Sequence, residues 1–318
     1  MKPRKISAVC LSGMLLCSLT ACSANQKLID TPMLERYGLD LETGEVSNHE
    51  VAGQYLNLEE PITQEVKRDE NGNRIVAEAE SELFLYRVDG DNAVITGITA
   101  SYLREIKIPA SLDGHKVIGI EGSVFAESTA LEYVELPEGM TYIGERVFEY
   151  CLKLEEVKLP GTLTSIGTYA FSNCIKLESL KLPDSITKIG SRAFSGCESL
   201  KEITVPAGVT KIEEFLFANC TSLEAINLPE TLKDIEQQAF QHCSSLKEIK
   251  IPERVTAINI GTFYGCTSLE TITIPASVVN IYPTAFKDCN MEHISVVTSS
   301  GSYAEKYANE NGMIASTQ

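Results

Sequence analysis

From Leu103 to Val297 the apolar residues of the chain fall into one frame that keeps returning. The clearest stretch is Leu177–Ser199, LESLKLPDSITKIGSRAFSGCES. Copies in register start at Leu131, Leu154, Leu177, Leu200, Leu223, Leu246 and Leu269, 23 residues apart. Each has Leu at position 1, Ile, Val or Leu at 4, an aliphatic at 6 and Pro at 7. An aliphatic or Met follows at 10, Ile at 13, Phe at 18 and Cys at 21. Self-similarity at such a period predicts stacked coils, each burying its apolar side against its neighbours. The fold class is a repeat solenoid, mainly β.

Within a coil, positions 4 and 6 alternate with mostly polar 3 and 5, the period-2 mark of a half-buried strand. Pro ends that strand, because it lacks the N–H a ladder needs. A second short extended stretch carries positions 10 and 13, with Gly144, Gly167 or Gly190 at the bend in three copies. The Ala-Phe-x-x-Cys run, as at Ala193, Phe194 and Cys197, brings the chain back as a turn or short helix. Strands stack about 4.8 Å apart, so about nine coils make a rod or shallow arc roughly 40 Å long.

The ends of the array differ from its middle. Phe84-Leu85-Tyr86 and Ala93-Val94-Ile95-Thr96 flank Asp89-Gly90-Asp91-Asn92, which predicts a hairpin covering the first coil. The coil opening at Leu103 holds five extra residues around Asp113-Gly114, read as a surface loop. A degenerate ninth coil opens at Met291. Ser302-x-x-Glu305 has capping-box spacing, and Tyr303, Ala304, Tyr307 and Ala308 share one helical face before Gly312. The tail is therefore a helical cap. The resulting division is 1–21 leader, 22–82 acidic region, 83–102 N-terminal cap, 103–297 solenoid and 298–318 C-terminal cap.

The leader joins Lys2, Arg4 and Lys5 to the apolar run Ile6–Leu19, the layout of a secretory signal. That run is shorter than the roughly 20 apolar residues of a spanning helix. It ends Leu19-Thr20-Ala21-Cys22, which resembles the lipobox of bacterial lipoproteins. The resemblance implies lipidation of Cys22 and cleavage before it, hence a membrane anchor of several acyl chains. An ordinary signal peptide cut after Ala21 is the plainer alternative. Residues 22–82 carry no repeat and are strongly acidic, which suits an extended tether or a small accessory fold. Within them, Ile62–Val66 and Ile75–Val76 flank Asn71-Gly72, a weak hairpin signal.

Formal charge is −17. That argues against a nucleic-acid partner, because phosphate binding needs clustered Lys and Arg. Three of the ten cysteines, Cys10, Cys17 and Cys22, lie at the leader. The other seven, Cys151, Cys174, Cys197, Cys220, Cys243, Cys266 and Cys289, occupy position 21 of successive copies. An odd set cannot all pair within the chain. Their column reads as a structural ladder of buried thiols beside Phe148, Phe171, Phe194, Phe217, Phe240, Phe263 and Phe286. No Cys-x-x-Cys or Cys/His spacing for zinc appears, so no metal and no cofactor is expected.

The pattern Leu-x-x-Ile-x-Leu-Pro-x-x-Ile-x-x-Ile-x-x-x-Ala-Phe-x-x-Cys resembles the BspA-type, or Treponema pallidum-type, leucine-rich repeat. The tail Gly301–Ala308 is similar to a common ending of such arrays. The resemblance implies a right-handed, curved solenoid on bacterial or protist surfaces, some relatives binding matrix proteins or mediating coaggregation. The matching residues are those of the fold, so function remains an analogy at the level of fold.

Catalytic motifs are missing. His49, His115, His242 and His293 share no column, and no HExxH, GxSxG, GxGxxG or P-loop occurs. An enzyme is not expected. A binding face, where one exists, is the sheet surface of positions 3 and 5. Position 3 reads Glu105, Tyr133, Glu156, Ser179, Glu202, Ala225, Glu248, Thr271 and His293. Position 5 reads Lys107, Glu135, Lys158, Lys181, Thr204, Asn227, Lys250, Thr273 and Ser295. Tyr133 is the one aromatic there, and exposed ion pairs between the Glu and Lys are weak. Two functions follow: a surface-exposed, lipid-anchored module binding a protein or glycan, or an envelope spacer or assembly scaffold without a soluble ligand.

Overall fold

A computed structural model describes residues 68–70, 74–100 and 102–317. The leader, Cys22, most of the acidic region and Asn71-Gly72 lie outside the described residues. The described chain is a β solenoid whose coils keep the 23-residue frame and have three ladders each.

The first ladder is the parallel sheet of positions 3 to 5. Strand β3 (Glu105–Lys107) pairs with Tyr133–Glu135, which pairs with Glu156–Lys158, all in matched register. Further on, Glu202–Thr204 pairs with Ala225–Asn227, and Glu248–Lys250 with Thr271–Thr273. Between these groups, residues 179–181 form no strand, and Ser179 makes a single bridge to Glu202. Leu180 sits at the centre of that coil, where the coils from Ile106 to Ile272 otherwise have Ile or Val. β-branched side chains suit the pleated surface better than Leu does. The one centre without a β-branched residue coincides with the missing strand.

The second ladder joins short strands at positions 12 and 13, such as Tyr142–Ile143, Ser165–Ile166 and Lys188–Ile189. Gly144, Gly167 and Gly190 follow them because adjacent coils touch there. A Cβ on Gly167 would stand 2.5 Å from the carbonyl group of Gly144. The predicted N-terminal hairpin, β1 (Phe84–Asp89) and β2 (Asn92–Ile98), caps this second sheet. Strand β2 runs parallel to β5 (His115–Ile120). The five extra residues of the first coil are not a loose loop. Strand β4 (Ser111–Leu112) turns back onto β5 through Asp113 and Gly114, both at positive φ.

The third ladder runs through the return segments, which are turns and not helices. The N–H groups of Phe171 and Asn173 donate to the carbonyls of Ala193 and Ser195, and the pattern repeats along the axis. Positions 16 and 20 carry it in left-handed backbone, including Arg146, Tyr150, Tyr169, Asn173, Arg192, Phe215 and His242 at φ from 56 to 59°. A non-glycine residue in that region costs roughly 1–2 kcal/mol.

Inside the coils the phenylalanines stack in one column from Phe125 to Phe286, neighbouring centroids 5.2 to 5.8 Å apart. The cysteines stand beside them with a specific task. Each thiol donates to the carbonyl of the phenylalanine in the preceding coil: Cys174 to Phe148 at 3.1 Å, Cys197 to Phe171 at 3.2 Å. That carbonyl already accepts the N–H of its own coil's cysteine, as Phe171 does from Cys174. The thiol adds the second donor, so the column is more than filler. Burial pushes Cys151 and Cys197 up to about 12, and half-buried Cys289 to about 11. Thiolate is the reactive form. Iodoacetamide at mildly alkaline pH should therefore modify Cys289 first and leave Cys151 to Cys266 slow until denaturant is added. Mass spectrometry reads this directly, and rapid modification of Cys197 in the folded chain would overturn it.

The C-terminal end departs from the sequence reading in two ways. Thr271 pairs with Ser295 and Thr273 with Val297, so Ser295 and Val297 take positions 3 and 5, not His293 and Ser295. A 3-10 turn at Met291–His293 absorbs the difference. Helix α1 (Tyr303–Glu310) forms as predicted, with the Ser302 hydroxyl accepting from the Glu305 N–H. Ala304, Tyr307 and Ala308 are buried, whereas Tyr303 is exposed. Past Asn311 and Gly312 the chain returns, and Ile314–Thr317 adds one more parallel rung beside Ser295–Thr298. The cap is a helix plus a strand.

Candidate functional site

The first sheet presents positions 3 and 5 outward, but unevenly. Glu105, Lys107, Glu135, Glu156 and Lys158 are half-buried, while Ser179, Lys181, Glu202, Thr204, Asn227, Glu248 and Lys250 are exposed. Thr271 and Thr273 are half-buried again.

Tyr133 is not a surface aromatic. Its relative exposure is 0%. The cover comes from Arg74, whose guanidinium lies 5.4 Å from the ring centre, and from Lys158 at 5.5 Å. Arg74 is itself held by Glu105 and Glu155 at 3.0 Å each and by Glu156 at 3.8 Å, its side chain 6% exposed. Residues 78 and 79 continue alongside: Glu78 bridges Lys107 and the Ala79 N–H donates to the Lys107 carbonyl. An arginine shared by three carboxylates above an aromatic ring is well placed to hold a chain segment down. The part of the acidic region from Arg74 onward thus packs on the first coils.

Glu135 is the hub of the remaining charges. It accepts from the Tyr133 hydroxyl at 2.8 Å and pairs with Lys107 at 2.9 Å and Lys158 at 3.7 Å. Burial raises its carboxyl pKa, but the hydrogen bonds from Lys107 and Tyr133 outweigh it and the net shift is downward. Next along the axis, Lys181 has no carboxylate within ion-pair distance among the described residues. A groove of about 630 Å3 runs over this part of the sheet, with Glu78, Lys107, Glu135, Lys158, Ser179 and Lys181 among its walls. It ends at the coil where the strand is missing.

The C-terminal half of the face is plainer. The Asn227 amide donates to the Thr204 hydroxyl at 3.2 Å, and Lys250 pairs with Glu230, not Glu248. The predicted site residues therefore separate into a charged groove and a C-terminal stretch where Thr and Asn alternate with the exposed Glu202, Glu248 and Lys250. Reading the sequence by its repeat missed Arg74, Glu78 and Glu155: the first two precede the first copy and the third is at position 2. Among the described residues no group of three or more His, Cys, Asp or Glu is placed to hold a metal, and no helix is long and apolar enough to cross a membrane. The arrangement can offer ammonium donors and carboxylate acceptors to a polar partner.

No curated protein matches the chain. A leucine rich repeat protein of T. pallidum is similar, 22% identical over 76% of this chain and 98% of its own, with a TM-score of 0.48. A leucine-rich repeat protein from Bacteroides ovatus is 23% identical over 70% of each chain, also at 0.48. A leucine rich cell surface protein from Faecalibacterium prausnitzii is 22% identical over 77% of this chain and all of its own, at 0.29. The family described as BspA type leucine rich repeat region matches residues 99–207 and 164–293, in six copies. With its repeats spanning most of the chain, this protein belongs to the BspA-type leucine-rich repeat family.

Proposed function

We propose that the chain is a surface-exposed interaction protein, lipid-anchored through Cys22, that binds a protein or glycan partner in the groove over its N-terminal coils. The observation that carries this reading is the groove itself, where Lys181 stands without a carboxylate beside the paired Lys158. An unpaired ammonium beside a polar groove favours a partner bearing carboxylate, sulfate or dense carbonyl acceptors. Placement at the surface is supported by the lipobox-like Leu19–Cys22 and by the family's presence among proteins described as cell-surface.

The test is a binding screen of the full chain against matrix proteins and glycans, repeated with Lys158→Glu/Lys181→Glu. Lys181 is exposed and unpaired, but Lys158 also covers Tyr133 and pairs with Glu135, so a thermal melt of the double variant, with Lys181→Glu alone beside it, first checks that the fold is kept. The double variant's affinity for a captured partner should fall by about tenfold or more, with the loss steepest at low salt. Unchanged binding in the double variant would place the site elsewhere.

A further inference from the structure

The return segments carry a column of side chains that neither the core nor the groove uses. Position 16 reads Arg146, Tyr169, Arg192, Phe215, Gln238 and Gly261 in successive coils. The Arg146 guanidinium lies 4.5 Å from the Tyr169 ring centre. Arg192 lies between two rings, 5.6 Å from Tyr169 and 4.1 Å from Phe215. All four residues are half-buried and all hold φ between 56 and 58°.

That backbone asks for no side chain. Gly261 occupies the same place at φ 60°. Large residues in left-handed backbone destabilise the coil relative to glycine, and cation–π contact at a half-exposed site offsets only part of it. Stability of the fold therefore does not explain why Arg, Tyr and Phe alternate here. Contact with another molecule does. Arg and Tyr are also the residues that dominate binding energy at protein interfaces.

The charges point to the partner. Arg146 is satisfied by Glu145 at 3.3 Å and Glu149 at 3.0 Å. Arg192 has no carboxylate within ion-pair distance among the described residues, in a chain with 44 acidic residues against 27 basic ones. Guanidinium groups already lie against both rings, two at Tyr169 and one at Phe215, which leaves less open ring face for a stacked sugar. What remains for a partner is ring edge and the N–H fork of Arg192, a geometry that accepts a carboxylate bidentately.

We infer that the Arg146–Tyr169–Arg192–Phe215 column is a second docking surface, and that its partner is an acidic peptide segment of another protein. One carboxylate sits on the Arg192 fork, and apolar side chains of the segment lie along the ring edges. This surface belongs to the return segments and is independent of the groove on the first sheet.

A fluorescent peptide alternating Glu and Leu tests it, with a Gln/Leu peptide and a polyuronate oligosaccharide as comparisons, titrated against the full chain by anisotropy. The Glu peptide should bind, weaken as salt rises, and weaken about tenfold or more with Arg192→Gly or Phe215→Gly. Glycine suits the backbone, so both variants should melt at or above the temperature of the parent. Lys158→Glu/Lys181→Glu should leave this binding unchanged, which separates failure here from failure of the groove. The inference is overturned by no binding of the Glu peptide, by equal binding of the Gln peptide, by preference for the polyuronate, or by full binding in Arg192→Gly.

Discussion

Phe194→Ala should lower the stability of the solenoid by about 3–5 kcal/mol, the range for truncating a fully buried aromatic. Phe194 is 0% exposed and sits at the middle of the column, 5.7 Å from Phe171 and 5.6 Å from Phe217. The coil hydrogen bonds on either side fix the spacing of the rings, because the Phe194 N–H donates to Leu216 and the Phe171 N–H to Ala193. Neighbouring coils therefore cannot close the gap without breaking the third ladder, and the cavity stays open. In a stacked array the loss falls on two interfaces at once, since each repeat is stabilised by its neighbours. Phe286→Ala should cost less. Its ring stacks on Phe263 at 5.3 Å but meets Tyr307 only at 6.2 Å and a 44° tilt, so one side of it is packed less closely. Urea unfolding of both variants checks the ranking, and a loss below about 1 kcal/mol for Phe194→Ala would mean the column is not rigid.

The repeat made most of the coil readable because each fixed residue answers a different geometric demand. Pro160 ends a strand, Gly167 lets two backbones touch, and Phe171 and Cys174 fill the interior, all inferable from one copy of the motif. Features set between coils were less readable. The thiol bond from Cys197 to the Phe171 carbonyl links two copies, so neither copy alone suggests it. The left-handed column at position 16 carries Arg, Tyr and Phe, not the Gly or Asn that usually announces such backbone, and it gave no signal. Alternation of cation and ring down that one position was the available sign. Leu180 was another: the lone residue without β-branching among Ile and Val at position 4 marks where the strand fails.

The candidate face was legible as a row of positions but not as a surface. Column reading treats every copy as equivalent, whereas Arg74 lies before the first copy and lands on only one of them. The result is a face whose N-terminal end is built by ion pairs and covered in part, and whose C-terminal end is Thr and Asn among the exposed Glu202, Glu248 and Lys250. The same limit explains Ile314–Thr317, a rung with no Leu or Pro to announce it.

Tyr133→Ala is the second large effect expected, about 3–5 kcal/mol, for a residue that the sequence alone placed on the surface. Removing the ring takes away the platform under Arg74 and leaves that side chain above a void, with Glu105, Glu155 and Glu156 around it. It also removes the hydroxyl that donates to Glu135 at 2.8 Å. Tyr133→Phe keeps the platform and should cost only about 0.5–1.5 kcal/mol, the usual range for one hydrogen bond. The pair of variants separates packing from polarity, and pH separates them further. Burial and the neighbouring Glu135 push the Tyr133 phenol well above its ordinary value of 10.0. A proton held more tightly in the folded state contributes stability that is complete below pH about 10 and is lost as pH rises past the unfolded value. The parent chain should therefore lose stability between pH about 10 and 12 more steeply than Tyr133→Phe does, in denaturant melts at matched salt. Parallel slopes for the two proteins would mean that Tyr133 is open to solvent and that Arg74 does not cover it.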